Sequence, residues 1–548
     1  MGCGEPEQAA LEPGGAPTPV GFGDAGVGAG GFGGPGFSAP QRSPPNERQG
    51  MPQQSPGLAS LYEDDQPLVS HTELLDLYAN TWHPDWSGSL MLHLEPGHYI
   101  LDDSSSRSAD SRKRGFHLSA YDMARRVPLM VYAPGDPQPG PRQQPASLEH
   151  ITATLFDLLE VPRPAGVTAP ALDFPPVDDP KLIAVVVIDA LPWGHWQDYL
   201  SQQPGFAQFR ANSREFVNTR LSFMSSSTTV SHAVLGTGQP PALTGIPINH
   251  TRTDPGHYDE VFIGNEPERL LVPTLADLYD RAQNNQPEVV SFCSQSRAAI
   301  AMAGHGRDHP GGDADLVAWQ QRHVGPMETN TRAYASVAWM RQEVDPESYL
   351  DALSDRSFIQ HDLLGLPDLF RSHHNVIVSE QAILAMMDHA GVGDDAVTDL
   401  VFLNHKVLDN IAHRWGADVE EYRVSLDELD AWLPRWLEAL HARAGDDFLL
   451  VVTADHGFGP TLAHPTLASD TRRHERSPFQ AELEARFGSP DGPVFEDIQY
   501  LNVYLDEARL LAAGHSLEQV CQDVLKRDWV ADCLTRGEVL ERQALVLP

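Results

Sequence analysis

Lys181-Leu-Ile-Ala-Val-Val-Val-Ile-Asp189 is an unbroken apolar, largely β-branched run that ends in a carboxylate. It has no polar face to offer water, so it reads as a strand buried on both sides of a parallel sheet. Two further units repeat the form. Thr398-Asp-Leu-Val-Phe-Leu-Asn404 reads as a strand leading into a helix that carries Asp409 and His413. Asp447-Phe-Leu-Leu-Val-Val-Thr-Ala-Asp455 reads as a strand that ends in Asp455-His456-Gly457. A strand followed by an acid, three times over, predicts a doubly wound, mainly parallel α/β sheet sandwiched by helices. Ligands in such sheets gather at the carboxyl ends of the strands.

Outward from this core, residues 1–57 are rich in Gly, Pro, Ala, Ser and Gln without periodicity, and are expected to form a disordered tail. Globular patterning begins near Leu68, with a helix expected over 69–80 and strands over 89–95 and 127–133. A helical period over 148–159 precedes a Pro-rich bridge at 163–180. Residues 305–395 are less regular and are expected to be an insertion in a core spanning 181–480. Helices near 505–512 and 516–526 suggest a smaller accessory lobe at 481–548.

Across the 548 residues, Asp and Glu outnumber Lys and Arg by 76 to 38, for a formal charge of −38. So acidic a chain is poorly suited to nucleic acid or anionic membranes, where basic patches supply affinity, and no nucleic-acid binding is expected. No apolar run approaches the ~20 residues that span a bilayer. Cys3, Cys293, Cys521 and Cys533 have neither zinc-site nor CxxC spacing; Cys521 and Cys533 could pair, though nothing demands it. The chain as given shows no export signal, yet Met1-Gly-Cys3-Gly looks like the end of a lipoprotein cleavage site lacking its apolar segment.

Chemistry concentrates in a few places. Asp409 and His413, four apart, share one helix face and can grip one metal ion. Asp189, Asp455 and His456 stand at strand ends. Ser225-Ser-Ser-Thr-Thr-Val-Ser-His-Ala-Val-Leu-Gly-Thr-Gly places hydroxyls just before a helix, where free N–H groups and the helix dipole favour an anion. Its plainer reading is a helix-capping loop. Each feature alone is commonplace, but together they form a carboxylate–imidazole–hydroxyl set suited to two closely spaced divalent cations. Mixed nitrogen and oxygen donors without thiolate suit zinc first, manganese second.

In order, the motifs resemble the alkaline phosphatase superfamily, in its threonine-nucleophile branch of phosphatases and nucleotide pyrophosphatase/phosphodiesterases. They are the strand ending in Asp189, Thr228-x-x-x-His232 with Gly236-Thr-Gly238, Gly245-Ile-x-x-Asn249, Asp409-x-x-x-His413-x-x-Gly416 and Asp455-His456-Gly457. The resemblance implies one metal on Asp189, Thr228, Asp455 and His456. It implies a second on Asp409, His413 and a histidine that normally comes late in the chain. After Asp455 the candidates are His464 and His474, the latter arranged as in cofactor-independent phosphoglycerate mutases. A better match lies upstream: His117-Leu-Ser-Ala-Tyr-Asp, followed by Val127-Pro-Leu and a strand, resembles the block that carries the last histidine. His117 is therefore the expected ligand, and residues 58–180 are expected to be the family's C-terminal segment moved forward by circular permutation.

The same resemblance makes Thr228 the nucleophile of a phosphoesterase working through phospho-threonine on a small phosphorylated substrate. Asn249 and the Thr229 N–H would hold the non-bridging oxygens, with His232 a packing residue. Arg297 matches the arginine of a phosphate-binding Lys-x-Arg pair, but Gln295 stands where the lysine belongs, which keeps a diesterase or nucleotide pyrophosphatase open beside a monoesterase. A non-catalytic relative keeping only the fold is the remaining alternative. Relatives of this kind usually work outside the cytoplasm, so a periplasmic or extracellular setting is expected, with the cytoplasm as the alternative.

Overall fold

The computed structural model describes residues 69–547 except 102–113, 178, 255–256, 321–324, 350–368 and 463–471; the tail expected at 1–57 and His464 lie outside the described residues. Nine strands form the main sheet: β1 (Leu129–Tyr132), β2 (Gly140–Ala146), β3 (Leu182–Ile188), β4 (Arg214–Thr219), β5 (Val289–Cys293), β6 (Leu316–Gln320), β7 (Met327–Glu328), β8 (Asp399–His405) and β9 (Phe448–Thr453). Their spatial order is β7-β6-β5-β8-β3-β9-β1-β4-β2. The run β6-β5-β8-β3-β9 is parallel throughout, while β1 lies antiparallel to both β9 and β4.

The apolar run at β3 explains the layering. Leu182, Ala184, Val186 and Ile188 point into one hydrophobic core, and Ile183, Val185 and Val187 into the other. A period of two with both faces apolar demands helices on each side. On the first side the Glu420–Ala444 helix buries Trp432 and Trp436. On the second, the Leu148–Leu158, Thr228–Thr237 and Ser296–Ala303 helices pack together.

Two stretches do more than their patterning indicates. Within 305–395, expected as an insertion, β6 and β7 extend the sheet, and the His374–Ala390 helix buries Val376, Ile383 and Met387 in the first core. A five-residue strand between turn-rich segments is too short to stand out by period. The smaller lobe takes material from both ends of the described chain. Its four-stranded sheet places Leu90–Leu94 between Asn502–Leu505 and Val530–Thr535, with Phe495–Gln499 at the edge. The His71–Ala79 helix lies against the Arg536–Val546 helix, where Gln543 Nε2 donates to the carbonyls of Ala79 (2.8 Å) and Trp82 (2.9 Å). Cys521 and Cys533 do pair, tying a lobe helix to the adjacent strand with Cα atoms 5.5 Å apart. Among the described residues, no helix is long and apolar enough to cross a membrane.

Candidate metal centre

Neighbouring strands β8, β3 and β9 end at one level of the sheet, since Asn404 and Thr453 both pair with Val187. The residues just beyond those ends therefore meet. Asp189 follows β3, and Ala190 turns the chain away in left-handed backbone (φ 60°) while its N–H donates to Asp455 Oδ1 at 3.0 Å. Such conformations are costly and persist only where the surroundings enforce them. After β8, Lys406 caps the Val407–Trp415 helix, which carries Asp409 and His413 on one face. After β9 come Asp455 and His456. Gly457 follows because the chain from the N-terminal side passes so close that a Cβ there would lie 2.1 Å from the Met123 carbonyl oxygen.

His117 arrives on that same N-terminal segment. Ser226 pins it in place: its carbonyl accepts from His117 Nδ1, and its hydroxyl accepts from the N–H groups of Leu118 (3.0 Å) and Ser119 (3.2 Å). His413 Nδ1 donates to the Gly115 carbonyl at 3.0 Å. With both Nδ1 atoms committed as donors, both Nε2 atoms carry lone pairs. Those lone pairs face each other at 3.2 Å, and Asp409 Oδ1 lies 3.7 Å from His117 Nε2 and 3.3 Å from His413 Nε2. Asp409 Oδ1 is buried and has no hydrogen-bond partner. Three ligand-type atoms, two imidazole nitrogens and one carboxylate oxygen, converge here. A cation satisfies that arrangement, and backbone carbonyls orient both imidazoles as is usual for metal ligands.

The second set is adjacent. His456 Nδ1 donates to the Gly457 carbonyl at 2.8 Å, leaving its Nε2 lone pair 3.3 Å from Asp455 Oδ2, 3.8 Å from Asp189 Oδ1 and 3.5 Å from Thr228 Oγ1. Thr228 opens the ten-residue Thr228–Thr237 helix, with Ser227 as its cap. His232 stands behind: its Nδ1 donates to the Thr228 carbonyl at 2.7 Å, and its Nε2 accepts from Asn404 Nδ2 at 2.7 Å. Asn404 Nδ2 also donates to Asp189 Oδ2 at 3.1 Å, so Asn404 and His232 together orient both Asp189 and the start of the helix.

Lys406 is the residue that motif reading passes over. It is fully buried, and its Nζ donates at 2.7 Å to each of Asp189 Oδ1, Thr228 Oγ1 and Asp409 Oδ2. Burial works against the ammonium, but Asp189, Asp409 and Asp455 outweigh it and push its pKa up to about 12. Burial would likewise raise Asp409, yet the Lys406 ammonium holds it well below the ordinary carboxylate range. Burial and the nearby Asp189 push Asp455 well above that range, and burial keeps His117 and His456 neutral. Even without Asp455, the buried Asp189 and Asp409 carboxylates face a single ammonium, a deficit of positive charge that a divalent ion would fill.

Other predicted residues stand differently. His474 hydrogen-bonds to His98 at 2.9 Å and stacks on Trp529 with centroids 3.9 Å apart, while His117 takes the place beside Asp409 and His413. Arg297 pairs with Glu260 at 3.1 Å, and its buried Nε has no hydrogen-bond partner. Asn249 Oδ1 and Gln295 Oε1 are also buried and unpartnered. Among the described residues, neither Asn249 nor Arg297 forms a hydrogen bond or ion pair with Thr228. In another histidine–carboxylate group, Asp277 with His305 and His309, it is His305 that is engaged: it bonds Asp277 at 2.8 Å through Nδ1 and the Leu270 carbonyl at 2.9 Å through Nε2.

The family profile described as type I phosphodiesterase / nucleotide pyrophosphatase matches residues 183–524. The chain belongs to that family. Type I phosphodiesterase / nucleotide pyrophosphatase homology thus covers the sheet from β3 onward and much of the lobe, while His117, β1 and β2 precede it. Relatives include the alkaline phosphatase PhoK of Sphingomonas sp., 26% identical over 312 residues, or 51% of this chain and 55% of that protein. The alkaline phosphatase PafA of Elizabethkingia meningoseptica is 22% identical over 408 residues, covering 63% of this chain and 72% of PafA. The chain spans about half the length of PhoK and of PhoD from Zymomonas mobilis. The crystal structure of PafA superposes with a TM-score of 0.50 at 19% identity, over 64% of this chain and 77% of that one, a likeness of fold.

Proposed function

We propose that this protein is a metal-dependent phosphoesterase that uses Thr228 as its nucleophile. The observation that carries this reading is the convergence of the lone pairs of His117 and His413 with an unpartnered Asp409 oxygen, beside a threonine at a helix start. Family membership and relatives named as alkaline phosphatases support it. In this reading His117, Asp409 and His413 hold a divalent ion, zinc first by donor chemistry. The family's second set is Asp189, Thr228, Asp455 and His456. A divalent ion supplies Lewis-acid polarisation of a phosphoryl oxygen and of an oxygen nucleophile.

The chain's own groups do the rest. Thr228 Oγ1 accepts from Lys406, which stabilises negative charge developing on that oxygen, while His456 Nε2 at 3.5 Å faces it as an acceptor for its proton. The Oγ1–P bond forms as the ester P–O bond breaks and the alcohol leaves with a proton. Water then cleaves the phospho-threonine to release phosphate. The N–H groups opening the Thr228–Thr237 helix, together with Asn249 and Arg297, are the donors for the non-bridging oxygens.

Gln295 in place of a lysine bears on substrate class, because a missing cation costs a dianionic monoester more than a monoanionic diester. Gln295→Lys is expected to raise kcat/KM for p-nitrophenyl phosphate about tenfold or more, and to leave that for bis-p-nitrophenyl phosphate within about twofold. Failure of the wild type to hydrolyse either ester at saturating zinc would sink the enzyme reading in favour of a non-catalytic relative.

We further infer that the order of segments is circularly permuted within the family. Residues before the matched stretch supply the sheet-interior strand β1 and His117, and the two ends of the described chain lie along each other. A chain rejoined from 547 to 69 by a short linker and opened near Pro180 is expected to fold and to retain turnover. Aggregation of that chain, with loss of its circular-dichroism spectrum, counts against permutation.

A further inference from the structure

We propose that the Lys406 ammonium holds one of the two cation positions expected of this family's site, so that the protein binds a single divalent ion at His117, Asp409 and His413. The inference rests on the metal-dependent reading above and narrows it. In the two-metal arrangement Asp189, Thr228, Asp455 and His456 share one ion. Here two of those four donors, Asp189 Oδ1 and Thr228 Oγ1, already accept from Lys406 Nζ at 2.7 Å each. The third N–H of the ammonium goes to Asp409 Oδ2, also at 2.7 Å, so its bonding is complete and aimed wholly into the site.

An ion bonded to the same two oxygens at ~2.1 Å would stand no more than about 5 Å from that buried positive charge. Lys406 has nowhere else to carry its charge, because it is fully buried at the strand end and its helix begins with the next residue. The two donors left over, Asp455 Oδ2 and His456 Nε2, are too few for a four-coordinate ion. The first set is different in kind. Lys406 touches the Oδ2 oxygen of Asp409 and leaves Oδ1 facing the two imidazoles unpartnered. Thr228 then takes its positive partner from lysine rather than from a metal, and Lys406 acts as a catalytic residue through the nucleophilic oxygen.

The full chain, stripped with chelator and dialysed against limiting zinc and separately against manganese, would have its bound metal counted per chain by mass spectrometry. One ion per wild-type chain and two per Lys406→Ser chain are expected. Two ions in the wild type, or one in both proteins, overturns the assignment. No ion in either overturns the metal reading of the whole site, a different and recognisable failure. If Lys406→Ser does not fold, the zinc X-ray absorption spectrum of the wild type decides. Two imidazoles around each zinc are expected, whereas an average below two, from three histidines shared between two ions, overturns the proposal.

Discussion

Thr228→Ala lowers kcat for phosphate-ester hydrolysis by roughly 10⁴-fold or more, with bound metal unchanged. The size follows from removing the atom that attacks phosphorus, which leaves only binding and electrostatic contributions to the rate. The metal should stay because His117, Asp409 and His413 take no donor from the threonine. Neighbouring hydroxyls supply the control. Ser227 Oγ and Thr229 Oγ1 are buried without a partner, whereas Thr228 Oγ1 alone accepts from Lys406. Near-full activity in Thr228→Ala would transfer the role to one of those two residues. A Thr228→Ser protein keeping at least a tenth of the wild-type rate separates loss of the nucleophile from loss of packing at this fully enclosed position.

His117→Ala weakens binding of the ion by more than about 100-fold and lowers turnover with it, while His474→Ala leaves metal content within error of wild type. His117 supplies one of three converging acceptors, and its removal leaves a two-donor set that cannot hold a tetrahedral ion tightly. His474 is engaged with His98 and Trp529 instead. Zinc titration of both proteins, with circular dichroism to verify folding, checks the pair. Equal metal content in wild type and His117→Ala would return the last-ligand role to another histidine and would remove the main support for permutation.

Much of the candidate site is legible in local patterning. A strand buried on both faces must stop where a charge begins, so Asp189 and Asp455 mark the sheet edge from the sequence alone. Asp409 and His413 share a helix face by spacing alone. His117 is a subtler case, found through the block that surrounds it rather than through its own neighbours. Lys406 was not legible in this way. A lysine one residue past a strand reads as a solvated cation, and only the meeting of the β3 end, the Thr228 helix start and its own following helix surrounds it with three oxygen acceptors at 2.7 Å. Ser226 was likewise hidden, because its work is to hold a segment more than a hundred residues away.

Local chemistry therefore determined the strands, the helix faces and the kinds of ligand this protein carries. The tertiary structure decided how they combine: that strands within 305–395 extend the main sheet, that Ser226 pins the His117 segment beside Asp409 and His413, and that Lys406 enters the site. The physical reason is range. Burial period and helix spacing are properties of a few consecutive residues, whereas charge balance depends on which chain segments the packed sheet brings to one point.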